Sequence, residues 1–397
     1  MGKKLLLKHR YNLVPEFEIY NRIKNFQKKL SESNIPVAII YYPVNCYYFT
    51  GANQDEILIV YADREPVLLV KRDLERAKND SPITQIFPLK SFSDLKKFIN
   101  EKRVGFEFDY ITLNECKKFQ SIIDAEFVDI TQIINELRSI KSKYEISLMK
   151  HAGEIAKKVY LEGANYLKKG LTEIEFAGIL EKIARKYGHE GILRTGSFRF
   201  ESYTSHIMCG YTSTFTTKTA TPTGGMGLSP AFPCGASFNE IKENKPILVD
   251  FGICFMGYQV DETRMFSIGE PEEEFVNYYK KILKIQHEIF ENLKPGIIAG
   301  DFFDFIYEKS YSLGIEKYFL GFNKKFNFIG HGIGLHTSEF PVIAKNFNYL
   351  IKENMTFAFE PKMVIPEKYG LGIEDTVVVR KDRVERITSI PEEIICV

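Results

Sequence analysis

The sequence lacks tryptophan, closely spaced cysteines and any long apolar run. Its six cysteines are scattered without a CxxC pair, which excludes a zinc-finger site and a dithiol redox motif. The longest apolar runs, such as Ile57 to Tyr61, are far too short to span a bilayer. The patterns GxGxxG and GxxxxGK with a following Ser or Thr are also absent, which argues against a phosphate-binding glycine loop.

Charge of one sign is not in excess either. Lys and Arg total 53 and Asp and Glu total 52, so the formal net charge is +1. A nucleic-acid-binding protein usually has a basic excess or stripe, so we predict no nucleic-acid partner, and the short apolar runs predict no membrane association. The first ten residues carry charges but no apolar core, so we predict no secretory signal. Without an export signal, scattered cysteines indicate reduced thiols and a cytoplasmic location.

The length of 397 residues suggests two domains. The first third alternates helical and strand patterns, such as a helix at Glu18–Leu30 and a strand at Pro36–Tyr42, and this predicts an α/β layer. We place the boundary so that the domains are 1–135 and 136–397. In the second, the segment Thr212–Gly235 is predicted to be a long loop, which is often functional. Four further helices are predicted at Tyr144–Leu167, Leu171–Tyr187, Glu274–Leu293 and Gly300–Leu313.

Two aspartates stand in apolar strand patterns. Asp250 and Asp261 are eleven residues apart, on either side of a turn predicted at Met256 and Gly257. An aspartate in an apolar strand is costly unless it is paired or bound to a cation. Because strand side chains alternate, both carboxylates can face the same side of a hairpin. The pair therefore indicates a site for one or two divalent cations.

Three later segments carry similar signals. His331 lies between glycines, which allow close approach of a ligand. Glu360 interrupts an apolar strand just before Pro361. Glu374 and Asp375 open another apolar strand, and alternation lets only one of them face a given side, so we choose Glu374.

Together the five residues are four carboxylates and one imidazole, which match two divalent cations in formal charge. Such ligands suit Mn, Co, Fe or Zn. Two cations about 3.5–4 Å apart can bind and deprotonate a bridging water, and Glu360 would then act as proton shuttle. Taken singly, each residue could be a surface carboxylate or a turn histidine, but together the segments are hard to explain as accidents.

The same segments resemble a known family. The order is DFG at Asp250, Asp261 followed by Glu-Thr-Arg, GHGIGL around His331, FEPK around Glu360 and GIEDT around Glu374. This order resembles the creatinase/aminopeptidase P/prolidase family of dinuclear metallopeptidases. Segments of the first third and the connection resemble it too: RIKNFQKKL (22–30), NCYYFTG (45–51), VLLVKR (67–72) and LRSIKSKYEISLM (137–149).

The resemblance implies an α+β fold. The C-terminal domain would be of the pita-bread type, a curved antiparallel sheet with outer helices, preceded by an α/β creatinase-like N-terminal domain. It implies two divalent metal ions on Asp250, Asp261, His331, Glu360 and Glu374. It also implies hydrolysis of the amide bond before proline, at a peptide N-terminus or in a dipeptide, by a metal-bridging hydroxide. We expect a homodimer.

Three positions depart from the family pattern. A second histidine usually follows the metal histidine by seven residues, where this chain has Ser338, with His336 nearby. Cys234 stands where a further substrate-side histidine is usual, and Gly372 where an arginine is common. His336 is our candidate catalytic residue beside Glu360. His206 and Ser338 are candidates for substrate binding, although His206 is more simply explained as a strand residue.

These departures leave other functions open. The chain could act on a non-peptide small molecule in the same pocket, as an amidohydrolase or a sulfonium lyase. It could also be a non-catalytic binding protein that keeps the scaffold. Four clustered carboxylates without cations would repel one another, which argues against the last reading.

Overall fold

The computed structural model describes residues 12–197, 205–219 and 221–397. The chain divides into two compact units, Met1–Arg138 and Ser139–Val397. This division lies close to the boundary predicted after residue 135. The first ten residues, for which no secretory signal is predicted, lie outside the described part. Among the helices in the described ranges, none is long and apolar enough to cross a membrane.

The first unit is built on a mixed six-stranded sheet with the order β4-β3-β2-β1-β5-β6. Strands β1 to β3 pair antiparallel, whereas β4, β5 and β6 each run parallel to their inner neighbour. The strands are β1 (Val37–Ile40), β2 (Glu56–Tyr61), β3 (Val67–Val70), β4 (Ile86–Pro88), β5 (Arg103–Phe106) and β6 (Glu126–Asp129). The helices are α1 (Glu16–Glu32), α2 (Pro43–Thr50), α3 (Leu74–Asp80), α4 (Leu113–Ile122) and α5 (Thr131–Ser139), with a 3₁₀ helix at Phe92–Lys97.

Helix α1 confirms its predicted apolar stripe. Ile19, Ile23, Phe26 and Leu30 are all buried, as their helical spacing requires. Phe26 stacks on Phe49 of α2, with ring centroids 4.9 Å apart. Helix α2 is not predicted from the sequence because this short helix is apolar on most sides and has no helical period to detect.

Glu56 makes the stability of this unit depend on pH. It opens strand β2, and burial raises its pKa to about 7, although the Thr50 hydroxyl donates to Oε1 at 3.1 Å. The unfolded chain loses this proton near pH 4.3, whereas the folded chain keeps it until about pH 7. The folded state therefore loses stability as the pH rises between these two values. Glu56→Gln is expected to remove this loss, and its free energy of unfolding relative to wild type should rise by ~3 kcal/mol from pH 4.5 to 7.5.

Urea denaturation of the full chain at a series of pH values measures this difference. The exposed Glu65, changed to glutamine, is the matched control and should give a difference that does not vary with pH. A Glu56→Gln difference as constant as that of the control would contradict the buried-carboxyl account.

In its described residues, the second unit contains two mainly antiparallel sheets and two hairpins. The sheet orders are β19-β11-β8-β7 and β13-β12-β14-β17-β18, with β9-β10 and β15-β16 as separate pairs, and among these described strands only β11 and β19 run parallel. The strands are β7 (Ser205–Cys209), β8 (Ile247–Phe251), β9 (Ile253–Phe255), β10 (Tyr258–Val260), β11 (Thr263–Ser267), β12 (Phe328–Gly332), β13 (Glu339–Ala344), β14 (Thr356–Phe359), β15 (Lys362–Ile365), β16 (Tyr369–Gly372), β17 (Asp375–Val379), β18 (Val384–Arg386) and β19 (Ile395–Cys396).

The four long helices predicted from the sequence for this unit are all present and cover these sheets. They are α6 (Lys143–Ala164), α7 (Glu173–Lys186), α8 (Glu273–Asn292) and α9 (Ala299–Ser312). Residues of α8 and α9 share one apolar core with the five-stranded sheet, including Phe275, Phe302 and Phe357. Tyr160 of α6 stacks on Phe266 of β11. This packing holds both sheets in place behind the carboxylates.

The region around Asp250 and Asp261 is more broken than a simple hairpin. The turn at Met256 and Gly257 is present, and both residues have positive φ, as tight hairpin turns require. However, each predicted strand is interrupted, so that β8 pairs with β11 and β9 pairs separately with β10. Asp261 therefore lies in the break between β10 and β11. The residue that pairs with Asp250 is Thr263 of β11.

The predicted loop Thr212–Gly235 begins within a 3₁₀ helix, Gly210–Thr214. The described residues after it, 215–219 and 221–235, form turns and isolated bridges without a helix or a strand. Ala220, within the predicted loop, lies outside the described residues.

Candidate metal centre

The five predicted ligands come from segments of both main sheets. Asp250 is in β8, Asp261 follows β10 and His331 is in β12, whereas Glu360 directly follows β14 and Glu374 directly precedes β17. Thr263 joins the sheets, because it pairs with Asp250 and also forms a bridge with Glu374. The amides of Thr263 and Glu374 donate to each other's carbonyls, over 3.3 and 3.1 Å.

Three of the predicted ligands form a compact group. Asp261, His331 and Glu374 each offer one donor atom within 4.8 Å of the other two. His331 Nε2 lies 3.8 Å from Glu374 Oε1 and 3.7 Å from Glu360 Oε1. All five predicted ligands line one cavity, so the carboxylates surround a common volume.

Glu374 and Asp375 face opposite sides, as strand alternation requires. The Thr263 hydroxyl donates to Glu374 Oε2 at 3.0 Å, on the side of the ligand group. Asp375 points to the opposite side, where its Oδ1 accepts from Arg264 at 2.7 Å. Arg264 and Asp375 are both fully buried, so the site has an ion pair directly behind it.

Lys362 is the site residue that the sequence analysis missed. Its Nζ donates to Asp250 Oδ2 at 2.9 Å, Glu360 Oε2 at 2.8 Å and Glu374 Oε2 at 3.2 Å. The only sequence signal was a lysine two residues after Glu360, at the start of a strand. In the sequence-based prediction, two divalent cations match the four carboxylates in formal charge.

The charge of Lys362 affects the pKa values of the carboxylates unequally. Burial alone would raise the pKa of Asp250, but the ammonium of Lys362 outweighs it and the pKa lies below its usual value. Burial raises the pKa of Asp261 well above its usual range, and the charge of Asp250 adds to this. Burial also raises the pKa of Glu374 well above its usual range, since Lys362 offsets only part of the effect. Negative charge is therefore least compensated at Asp261 and Glu374.

A cavity of about 440 Å³ opens onto the carboxylates. Asp250, Asp261, His331, Glu360, Lys362 and Glu374 line its polar side, and the described lining also includes Leu193, Thr195, Gly196, Ser197, His206, Lys218, Thr219, Thr221, Gly252, Phe328, Thr337, Ser338 and Val342. Its size lies in the range of pockets for small ligands.

The structure separates the three predicted substrate-side residues. His206 and Ser338 both line the cavity. His206 is in β7 beside Asp250, and burial lowers its pKa to about 4, which makes it a neutral imidazole. His336 is fully buried, and it is not one of the described residues that line the cavity. Its catalytic role stays a prediction.

The residues present fit a divalent cation at Asp261, His331 and Glu374. Within the described ranges, Glu374 Oε1 is buried and has no hydrogen-bond partner. A buried carboxylate oxygen without a donor is costly, and a cation between this oxygen and the imidazole would satisfy it. One imidazole with carboxylates suits Mn, Co, Fe or Zn.

Family comparisons agree with both units. Residues 147–381 match the model of Metallopeptidase family M24, and residues 22–140 match that of the Creatinase/Prolidase N-terminal domain. The fold and the site thus define a metal-dependent peptidase with an additional N-terminal domain. The chain belongs to metallopeptidase family M24, which confirms the predicted family, two-domain fold and enzyme class.

Full-length relatives are similar to this chain. A Xaa-Pro dipeptidase of Pyrococcus furiosus is 27% identical over 380 residues, which cover 94% of this chain and 99% of the relative. The crystal structure of an X-Pro aminopeptidase from Thermotoga maritima has 25% identity and a TM-score of 0.79, over 94% of this chain and 99% of its own. A prolidase structure from Pyrococcus furiosus has 28% identity and a TM-score of 0.76, over 92% and 99%.

Proposed function

We propose that this protein hydrolyses the amide bond before proline, in a dipeptide or at a peptide N-terminus, with a divalent cation as cofactor. The observation that carries the proposal is the group Asp261, His331 and Glu374 beside a cavity of about 440 Å³. The similarity to Xaa-Pro dipeptidases over almost the whole chain supports the proline specificity.

Five residues of the site have a task in this reaction. Asp261, His331 and Glu374 would hold the cation. A bound divalent cation supplies Lewis-acid chemistry, since it polarises a carbonyl and makes water more acidic. Glu360 would accept the proton of the attacking water at Oε1, which faces His331, and deliver it to the departing proline nitrogen. Lys362 holds Oε2 of the same carboxylate and so orients it.

The cavity walls suit a small peptide with an imino acid. Leu193, Phe328 and Val342 provide an apolar surface for the proline ring, and Ser338 lines the same cavity with a hydroxyl. Lys218 is a cation in the lining, which suits the free carboxylate of a dipeptide. We therefore expect a free C-terminal acid at proline to be favoured over an amide.

The function is tested with a matched set of substrates. With Mn²⁺ added, Ala-Pro should be hydrolysed, Ala-Pro amide more slowly, and Ala-Ala at a rate near the background. Removal of the metal by EDTA should abolish proline release, and added Mn²⁺ should restore it. Including Ala-Pro peptides of three to five residues separates a dipeptidase from an aminopeptidase. No cleavage of any Xaa-Pro substrate by metal-loaded protein would contradict the proposal and favour a small-molecule substrate.

Two further features stay predictions. The homodimer is one, and gel filtration with light scattering measures it directly. The cytoplasmic location is the other, and it is consistent with the six cysteines, none of which forms a disulfide bond.

A further inference from the structure

The ammonium of Lys362 occupies the position of a cation among the carboxylates. Its side chain is only 1% exposed, and its Nζ lies 2.8–3.2 Å from oxygens of three different carboxylates. Those three, Asp250, Glu360 and Glu374, are also predicted metal ligands. The ammonium therefore satisfies oxygens that a second divalent cation would need.

The fold is shaped to receive this side chain. Lys362 pairs with Gly372 across the β15–β16 hairpin. A Cβ at Gly372 would lie 2.4 Å from Cγ of Lys362, so glycine is needed here for space. The backbone of Lys362 is also fixed, because its carbonyl accepts from the amide of Leu320 at 2.9 Å. Lys362 therefore enters the site from a rigid strand.

Glu374 shares its two oxygens between the two halves of the site. Oε2 accepts from Lys362 and from the Thr263 hydroxyl. Oε1 faces His331 at 3.8 Å, and Glu374 forms the compact group with His331 and Asp261. One carboxylate thus connects an ammonium on one side with a cation site on the other.

We propose that this centre binds a single divalent cation, at Asp261, His331 and Glu374, and that the ammonium of Lys362 takes the place of a second one. A second dication among Asp250, Glu360 and Glu374 would have to lie against the ammonium, and like charges at contact distance repel strongly in a buried site. This inference rests on the metal dependence proposed above but not on the substrate.

The number of Mn ions bound per chain tests whether the centre holds one cation or two. Metal-free protein, as the full chain, is loaded with excess Mn²⁺ and passed through a desalting column. Mass spectrometry then measures the number of Mn ions per chain, and electron paramagnetic resonance records their spin state. Wild type should retain one Mn per chain with the spectrum of isolated ions. Lys362→Met, which keeps the length of the side chain but removes its charge, should retain two, with an exchange-coupled spectrum.

Lys368→Met is the matched control. Lys368 is near the same hairpin, its side chain is 54% exposed, and it pairs with Glu274 away from the cavity. This variant should retain one Mn, as wild type does. Two coupled ions in wild type would overturn the inference, and so would a folded Lys362→Met protein that still retains one.

Other outcomes are also decisive. If Lys362→Met does not fold, the wild-type spectrum decides alone, since isolated ions support the inference and coupled ions overturn it. Wild type that retains no Mn overturns both the inference and the metal dependence. Wild type that retains one Mn but cleaves no Xaa-Pro peptide refutes only the proposed substrate.

Discussion

Changing Glu360 to glutamine is expected to lower kcat for Ala-Pro by about 10²–10⁴-fold, the usual contribution of a general base. The variant keeps the shape of the side chain and an oxygen that can accept from Lys362, but it has no carboxylate to take a proton. Because Asp261, His331 and Glu374 remain, the Mn content should equal that of wild type. Steady-state kinetics of proline release and metal analysis on one preparation measure both quantities.

Two results separate proton transfer from metal binding. The control is Glu353→Gln, a change at an exposed position of the same unit, and its kcat should not change. A Glu360→Gln protein that keeps more than a tenth of the wild-type kcat would refute the role of Glu360 as base. Loss of Mn together with activity would instead make Glu360 a metal ligand, as the sequence analysis also predicted.

Changing Arg264 to methionine should cost ~3–5 kcal/mol in the free energy of unfolding, the range for breaking a buried ion pair. Arg264 is fully buried, and its Nη2 lies 2.7 Å from Asp375 Oδ1 and 3.3 Å from Glu262 Oε1. Methionine would leave both carboxylates buried without this cation. Arg264 also donates to the carbonyl of Glu374 at 2.7 Å, so the variant should bind Mn²⁺ more weakly as well.

Urea denaturation of the full chain and calorimetric titration with Mn²⁺ test the two effects. Arg383→Met, at an exposed arginine that follows β17, should change neither the stability nor the affinity for Mn²⁺. A stability loss for Arg264→Met below about 1 kcal/mol, the size of a surface ion pair, would show that Arg386, which also donates to Asp375, compensates for its removal.

Local patterns were reliable where a periodic stretch was long. Helix α8 was predicted at Glu274–Leu293 and is found at Glu273–Asn292, because an apolar stripe repeats over many turns. Alternation was equally sufficient to choose Glu374 over Asp375. Short elements were missed, and β15 and β16, which hold Lys362 and Gly372, were among them. Four residues contain too few repeats to reveal a period, and burial of both faces removes the alternation.

By its own pattern, the sequence predicted which side chains are candidates to bind a cation, since acidic residues in apolar strands and a histidine between glycines need a local reason to be there. It also determined the family. Only the tertiary structure decided which carboxylates of the site are neutralised by Lys362. The neutralisation of a carboxylate depends on distances between strands that are far apart in the chain. Lys362 reaches Asp250 over 2.9 Å although they are 112 positions apart, and no local pattern encodes such a contact.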